Sequence, residues 1–222
     1  TVPQPGGRLA RRSMPYRAGC LPRRAVNDRS TTQNYPAYGR IILLNGASSS
    51  GKTSLARAIQ ARIDQPFWHI SIDHLRDSGV LPTARIKSGE FDWRMMREAF
   101  FLGFERSLLA YVEAGNDLIV EHIMESEAWL LRLADTLAGH DVFFLGVHCA
   151  LNELERRERQ RSDRPIGDAR RDFHRIHSGC LYDFEVDAMQ GQEANADAVL
   201  AAWQARSRPT AFERLRERRD RG

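Results

Sequence analysis

The sequence contains no long hydrophobic run and only three cysteines. No stretch approaches the roughly 18 consecutive apolar residues of a membrane-spanning helix, so a membrane partner is not expected. The first residues carry arginines without a following apolar segment, which gives no support for export. Cys20, Cys149 and Cys180 have an odd count and no metal-ligand spacing, which argues against a disulfide framework. We therefore expect reduced thiols and a cytoplasmic protein.

Positive charge is scarce in the central part of the chain, although the net charge of the whole is +4. Residues 41–205 hold 18 Lys and Arg against 25 Asp and Glu, whereas residues 1–40 hold 8 Arg and 1 Asp, and residues 206–222 hold 7 Arg against 3 acidic residues. A nucleic-acid enzyme more often carries its positive surface on the folded body, where a groove follows the phosphates. An acidic body therefore argues against nucleic acid as a partner, except through the basic ends.

The basic ends are expected to be solvated, because charged segments with few apolar residues bury too little surface to fold. Five prolines fall within residues 1–39, and these residues show no apolar periodicity. We predict a disordered basic extension at residues 1–39, one folded domain at residues 40–206, and a basic tail at residues 207–222.

From residue 40 onward, apolar runs alternate with helix-like segments, as in an α/β protein with a parallel sheet and helices on both faces. The apolar runs are nearly continuous, which suits strands that are buried on both sides. The predicted strands are Arg40–Leu44, Phe67–Ile72, Asp117–Val120, Asp141–Val147 and Phe184–Val186. The predicted helices are Lys52–Arg62, Phe91–Glu113, Glu127–Leu137, Asn152–Gln160, Ala169–His177 and Ala194–Arg206.

The segment between the first predicted strand and the first predicted helix is a P-loop motif. Its two glycines let backbone N–H groups turn inward around phosphate oxygens, and the following helix points its positive end at the same anion. In this pattern the Lys52 side chain reaches the β- and γ-phosphates, and the Thr53 hydroxyl binds Mg²⁺. The motif predicts a nucleotide site and the three-layer fold of P-loop nucleoside triphosphate hydrolases. Its predicted nucleotide-binding residues are Gly46, Ala47, Ser48, Ser49, Ser50, Gly51, Lys52 and Thr53.

Two carboxylates follow predicted strands. Ligands of an open parallel sheet lie beyond the carboxyl ends of its strands, which selects Asp73 and Glu121. Asp73 could accept a proton from a hydroxyl that attacks the γ-phosphate, and capping of the next helix is the alternative role. Glu121 could bind Mg²⁺, directly or through water.

A second candidate group lies in the arginine-rich residues 156–175. If the first part is helical, Arg157, Arg161 and Arg164 share one face and could present guanidinium groups to nucleotide phosphates. Such arginines neutralise charge that develops during phosphoryl transfer. The alternative is a solvated helix held by ion pairs between its own residues. Some of the large apolar side chains in residues 91–104 could line an acceptor pocket, although core packing accounts for most of them.

The P-loop segment resembles the opening of the chloramphenicol phosphotransferase family, in which an Asn-Gly pair leads into a Ser-rich loop. The similarity continues in residues 146–149, in Arg157-Glu158 and in residues 182–187, and covers roughly residues 40–190. The resemblance implies a P-loop kinase-like enzyme that transfers the γ-phosphate of ATP to a hydroxyl of the antibiotic. It also implies that the Asp after the second strand, here Asp73, is the general base. We predict in addition that the arginine-rich segment forms a lid over the nucleotide.

Together these features predict a phosphotransferase that uses ATP and Mg²⁺ and acts on a hydroxyl of a small molecule, with chloramphenicol or a related antibiotic as a candidate. The predicted catalytic residues are Asp73, Lys52 and Arg161; Arg157, Arg161 and Arg164 join the P-loop in nucleotide binding; Thr53 and Glu121 are the predicted metal ligands. Residues 74–95 differ from the family pattern, so the acceptor stays open. Two alternatives also stay open: a kinase of a metabolite or nucleotide sugar, and a non-catalytic nucleotide-binding regulatory module.

Overall fold

The computed structural model describes residues 38–160 and 166–221. A five-stranded parallel sheet with strand order β2-β3-β1-β4-β5 forms its centre. The strands are β1 (Arg40–Asn45), β2 (Trp68–Ser71), β3 (Leu118–His122), β4 (Asp141–His148) and β5 (Phe184–Asp187). All five predicted strands are present, with bounds that differ from the predicted ones by at most about two residues. Residues 1–37 of the extension that was predicted at residues 1–39 lie outside the described residues, as do Arg161 and Arg164.

Nine helices surround the sheet in the described residues. They are α1 (Lys52–Gln60), α2 (Ile72–Asp77), α3 (Thr83–Lys87), α4 (Trp93–Glu113), α5 (Glu127–Thr136), α6 (Leu151–Arg159), α7 (Asp168–Phe173), α8 (Gln192–Ala205) and α9 (Ala211–Asp220). The six predicted helices are among them, whereas α2, α3 and α9 were not predicted. In the ranges that the structure describes, no helix combines the length and the apolar character that a membrane crossing requires.

The sheet is buried on both faces, and β1 shows how the sequence achieves this. Ile41 and Leu43 pack in one cluster with apolar residues of α4, α5 and α9, whereas Ile42 and Leu44 pack in another with α1 and α8. All four side chains are fully buried. The continuous apolar runs follow from this double burial, because alternate residues of a strand face opposite layers. The three-layer α/β prediction is confirmed.

Helix α9 corrects the predicted tail at residues 207–222. Ala211, Phe212 and Leu215 are buried in the same cluster as α4 and α5, and the helix begins with a capping box. These apolar residues recur at the spacing of one helix face, a signal that the surrounding arginines conceal. The folded domain therefore includes α9.

A buried ionic cluster joins α4, β3 and α5. Glu105 is fully buried and accepts two hydrogen bonds from Arg132, at 2.8 and 2.9 Å. The imidazole of His122 is also fully buried, with its Nε2 atom 3.7 Å from Oε1 of Glu105. Burial raises the pKa of Glu105, but His122 and Arg132 outweigh this effect, and the pKa lies below its usual value. The carboxylate is therefore charged within the core and depends on its partners.

We expect Arg132→Met to lower the free energy of unfolding by about 3–5 kcal/mol, because the change leaves the buried Glu105 carboxylate without its two hydrogen bonds from Arg132. Denaturant-induced unfolding measures this loss. Arg94→Met is the control, since Arg94 is largely exposed and its ion pair with Asp92 contributes little. The double variant Glu105→Leu/Arg132→Met should recover much of the loss, and a double variant as unstable as the single one would contradict the explanation.

Candidate active site

The P-loop lies between the end of β1 and the start of α1, and two glycines set its shape. A Cβ atom on Gly46 would lie 2.5 Å from the main-chain oxygen of Val147, which is too close for any side chain. Gly51 has a φ of 97°, in the left-handed region that favours glycine. Both glycines of the motif are thus required by the backbone geometry of the loop.

The loop also carries buried polar groups with chemistry that suits phosphate. The hydroxyl oxygens of Ser49 and Ser50 are buried and have no hydrogen-bond partner among the described residues. The ammonium group of Lys52, a buried side chain, donates to the main-chain oxygens of Gly46 and Ala47, at 2.8 Å each. Buried hydroxyl groups without partners are costly, and phosphate oxygens accept hydrogen bonds from hydroxyl and ammonium groups alike. The loop therefore fits the phosphates of a nucleotide.

A short chain of hydrogen bonds links α1 to β3 and β2. The Thr53 hydroxyl donates to Oε2 of Glu121 at 2.8 Å, and Oε1 of Glu121 lies 2.6 Å from Nε2 of His69. Burial raises the pKa of this carboxylate, but its hydrogen bond with His69 and the charge of Lys52 outweigh burial, and the pKa of Glu121 lies below its usual value. Glu121 is therefore an ionised carboxylate beside the Thr53 hydroxyl, and the oxygens of both groups are suited to bind a metal ion.

Asp73 lies in the first turn of α2. Strand β2 ends at Ser71, one residue earlier than predicted, and the Ser71 hydroxyl accepts a hydrogen bond from the N–H group of His74 at 3.1 Å. Ser71 therefore performs the capping role that was the alternative for Asp73. The Asp73 carboxylate is 36% exposed and lies 3.1 Å from the guanidinium group of Arg76.

One narrow cleft, of 60 Å³, is lined by four of the five predicted catalytic and metal-binding residues. Its lining includes Lys52, Thr53, Asp73 and Glu121. They meet because β3 lies between β1 and β2 in the sheet, so the carboxyl ends of these three parallel strands share one edge. The cleft therefore brings together the P-loop, the hydrogen-bonded pair of Thr53 and Glu121, and the partly exposed carboxylate of Asp73.

A second cavity, of 430 Å³, adjoins the P-loop beside α6 and α8. Arg157 lines it, and its Nη1 atom donates to the main-chain oxygen of Ser50 at 3.2 Å. The Nε atom of Arg157 also donates to Glu153 at 2.7 Å, so the ion pair of the solvated-helix alternative is present as well. The structure thus brings Arg157 to the P-loop, whereas Arg161 and Arg164 lie outside the described residues.

Two contacts near the P-loop were not predicted. The carboxylate of Asp172, a buried residue of α7, accepts a hydrogen bond from the main-chain N–H group of Ser48 at 3.1 Å. The side-chain amide of Asn45 donates to the Tyr182 hydroxyl at 2.7 Å. No pattern marks Asp172, which lies in an arginine-rich segment without a motif. Asn45 could have been singled out from the sequence, because it is the first residue of the Asn-Gly pair that opens the loop.

A parallel five-stranded sheet with a P-loop after its central strand, Glu121 near the end of β3 and Asp73 just after β2 defines a P-loop kinase-like protein. Solved structures with this fold include the APS kinase CysC of Mycobacterium tuberculosis in complex with AMPPNP and APS, with 18% identity, a TM-score of 0.57 and coverage of 76% of this chain and 99% of that chain. Shikimate kinase of Aquifex aeolicus has 13% identity, a TM-score of 0.53 and coverage of 74% and 96%. At such identities these similarities establish the fold.

The chain belongs to the chloramphenicol phosphotransferase-like family, whose sequence profile matches residues 39–204. A protein of Mycobacterium tuberculosis strain H37Rv, provisionally named an O-phosphotransferase, is 32% identical over 200 residues, which cover 81% of this chain and 89% of that protein. The family resemblance is therefore confirmed, and the chain is a phosphotransferase that acts on hydroxyl groups.

Proposed function

We propose that the protein transfers the γ-phosphate of ATP, with Mg²⁺, to a hydroxyl of a small molecule. The observation that carries this proposal is that Asp73 shares one cleft with Lys52, Thr53 and Glu121. A proton acceptor for the attacking hydroxyl thereby lies beside the groups suited to hold the transferred phosphate. Chloramphenicol or a related antibiotic is one candidate acceptor, and a metabolite is another.

The P-loop and its surroundings support the binding of a triphosphate. Backbone N–H groups of the loop and the hydroxyls of Ser49 and Ser50 bind phosphate oxygens. Lys52 exchanges its hydrogen bonds with P-loop main-chain oxygens for bonds to the β- and γ-phosphates. Arg157 adds positive charge next to the loop, and the adjoining cavity of 430 Å³ has the size of a nucleoside-binding pocket.

Thr53 and Glu121 fit a magnesium ion that is shared with the nucleotide. Mg²⁺ prefers oxygen ligands, keeps several waters, and is commonly held by one or two protein groups together with phosphates. The Thr53 hydroxyl and the ionised Glu121 carboxylate lie 2.8 Å apart. Within the described ranges, no group of three or more His, Cys, Asp or Glu residues is arranged to hold a metal ion without a substrate. When bound, the metal neutralises charge on the β- and γ-phosphate oxygens.

In this mechanism Asp73 is the general base. Its partly exposed carboxylate accepts the proton of the acceptor hydroxyl as that oxygen bonds to the γ-phosphorus, and the bond from the γ-phosphorus to the bridging oxygen breaks to release ADP. Arg76, 3.1 Å away, orients the carboxylate, and Lys52 stabilises negative charge on the transferred group. Positioning and charge neutralisation therefore supply most of the rate.

A transfer assay with ATP labelled at the γ-phosphate tests the proposal on a panel of chloramphenicol, other hydroxylated antibiotics, sugars and hydroxylated metabolites, with labelled GTP as a second donor. We expect label to appear on at least one acceptor, to stop when EDTA removes Mg²⁺, and to resume when Mg²⁺ is restored. Tight ATP binding without transfer to any member of the panel would instead favour the regulatory module.

A further inference from the structure

A third cavity, of 470 Å³, adjoins the cleft and is called the acceptor cavity below. Ile72 and Asp73 line both the acceptor cavity and the cleft. None of the P-loop residues 46–53, all of which the structure describes, lines the acceptor cavity. A molecule bound there therefore reaches Asp73 without occupying the nucleotide site.

One wall of the acceptor cavity is aromatic. The rings of Trp93 and Phe100 on α4 make an edge contact with centroids 5.5 Å apart, and those of Phe100 and Phe101 make another at 5.9 Å. All three side chains are partly exposed, although Phe100 and Phe101 also pack against the core, so part of each ring surface is open to a bound molecule. Such a wall favours a ring or a hydrocarbon portion in the bound molecule.

The remaining lining of the acceptor cavity is charged, with four arginines against three carboxylates. Three of the arginines are already matched with carboxylates of the cavity. These ion pairs are Arg97 with Glu125, Arg171 with Asp168, and Arg76 with Asp73. Each carboxylate of the cavity thus has an arginine partner, and the Asp73 carboxylate must in addition accept the proton of the acceptor hydroxyl.

Arg175 is the fourth arginine, and its environment is different. It is exposed just beyond α7, and its Nη2 atom donates to the main-chain oxygen of Glu125 at 3.2 Å. It has no carboxylate partner in the part of the chain that the structure describes. A guanidinium group presents its donors in a planar fork that matches a carboxylate or a phosphate. The acceptor cavity therefore offers a positive charge that its own carboxylates do not balance.

We propose that the acceptor is a small alcohol that carries a carboxylate or phosphate group beside a ring or hydrocarbon portion. Arg175 binds the anionic group, Trp93 and Phe100 contact the apolar portion, and the hydroxyl lies at Asp73. This inference rests on the proposed function, and it narrows the acceptor to a class that excludes chloramphenicol, which has no anionic group.

Three compounds that differ in one substituent test this inference: 4-(hydroxymethyl)benzoate, 4-(hydroxymethyl)phenyl phosphate, and the neutral methyl ester of the benzoate. Isothermal titration in the presence of ADP and Mg²⁺ measures their binding, and transfer from γ-labelled ATP measures their reaction. We expect at least one anion to bind about tenfold or more tightly than the ester, and the stronger of the two identifies the anionic group.

Variants of Arg175 separate its role from general charge. Arg175→Ala should remove the preference for the anion and leave binding of the ester unchanged, whereas Arg175→Lys, which keeps the charge but not the fork, should retain part of the preference. Arg170→Ala is the matched control, because Arg170 is an exposed arginine of α7 that pairs with Glu155 and does not line the acceptor cavity.

The outcomes distinguish this inference from the proposed function. Equal binding of the three compounds, no binding of either anion at millimolar concentration, or an unchanged preference in Arg175→Ala overturns the inference. Phosphorylation of the ester or of chloramphenicol, with no phosphorylation of either anionic compound, also overturns the inference and leaves the proposed function standing. Selective binding of an anion without transfer to any acceptor supports anion recognition and contradicts the proposed function.

Discussion

Replacement of Lys52 by alanine is expected to lower kcat/KM by about 10³-fold or more. Preorganised cations and donors that stabilise charge on a transferred phosphoryl group typically contribute effects of this size. Lys52 is buried beside the P-loop, and its ammonium group lies 2.8 Å from the main-chain oxygens of Gly46 and Ala47, so the charge is already held next to the phosphate site before a nucleotide binds. Because the group contacts phosphate in both the bound and the reacting state, the affinity for ATP should fall as well.

Steady-state kinetics with an acceptor that the transfer assay identifies, together with titration of ADP and Mg²⁺, measures both effects of Lys52→Ala. Lys87→Ala is the control, since Lys87 is an exposed lysine at the end of α3. It should leave both quantities within about twofold of the native values, as exposed substitutions usually do. A Lys52→Ala protein that kept more than about a tenth of the native activity would argue against a P-loop that grips the transferred phosphate.

The sheet and the P-loop were predictable because their signals are local. A run such as Ile41–Leu44 is apolar at every position, which only a strand covered on both faces explains well. The P-loop is recognised from the spacing of Gly46 and Gly51 alone, although the contact that excludes a side chain at Gly46 comes from Val147 of β4. Neither inference requires knowledge of which distant elements pack together.

Helix α4 shows where such prediction stops. Phe100, Phe104, Leu108 and Val112 form an apolar stripe, four residues apart, along α4. The last three are buried, but Phe100 is only partly buried, because the amino-terminal turns border the acceptor cavity as well as the core. Glu105 is fully buried beside the stripe, which no periodicity argument anticipates, since its burial depends on an arginine of α5 and a histidine of β3. Pairings across distant elements decide these positions.

The candidate site likewise contains residues that the sequence predicted and contacts that it did not predict. Sequence placed Asp73 and Glu121 at the sheet edge, and their meeting with Lys52 and Thr53 follows from the position of β3 between β1 and β2. The contact of Asp172 with the P-loop was not predictable, because it depends on how α7 packs against that loop. The roles of all these residues in catalysis stay predictions, and Asp73 is the one whose removal is most diagnostic.

Asp73→Asn is expected to lower kcat by about 10²–10⁴-fold, the usual contribution of a positioned general base, because the amide is nearly isosteric with the carboxylate but cannot accept the hydroxyl proton. The Kd for ADP and Mg²⁺ should stay within about twofold, since the P-loop is unaltered. Asp77→Asn is the matched control: Asp77 lies on the same helix and pairs with the same Arg76, but it is 61% exposed and does not line the cleft. If Asp73→Asn and Asp77→Asn had equal kcat values in single-turnover assays, Asp73 would not be the base, because loss of one partner of Arg76 is common to both variants and proton acceptance is not.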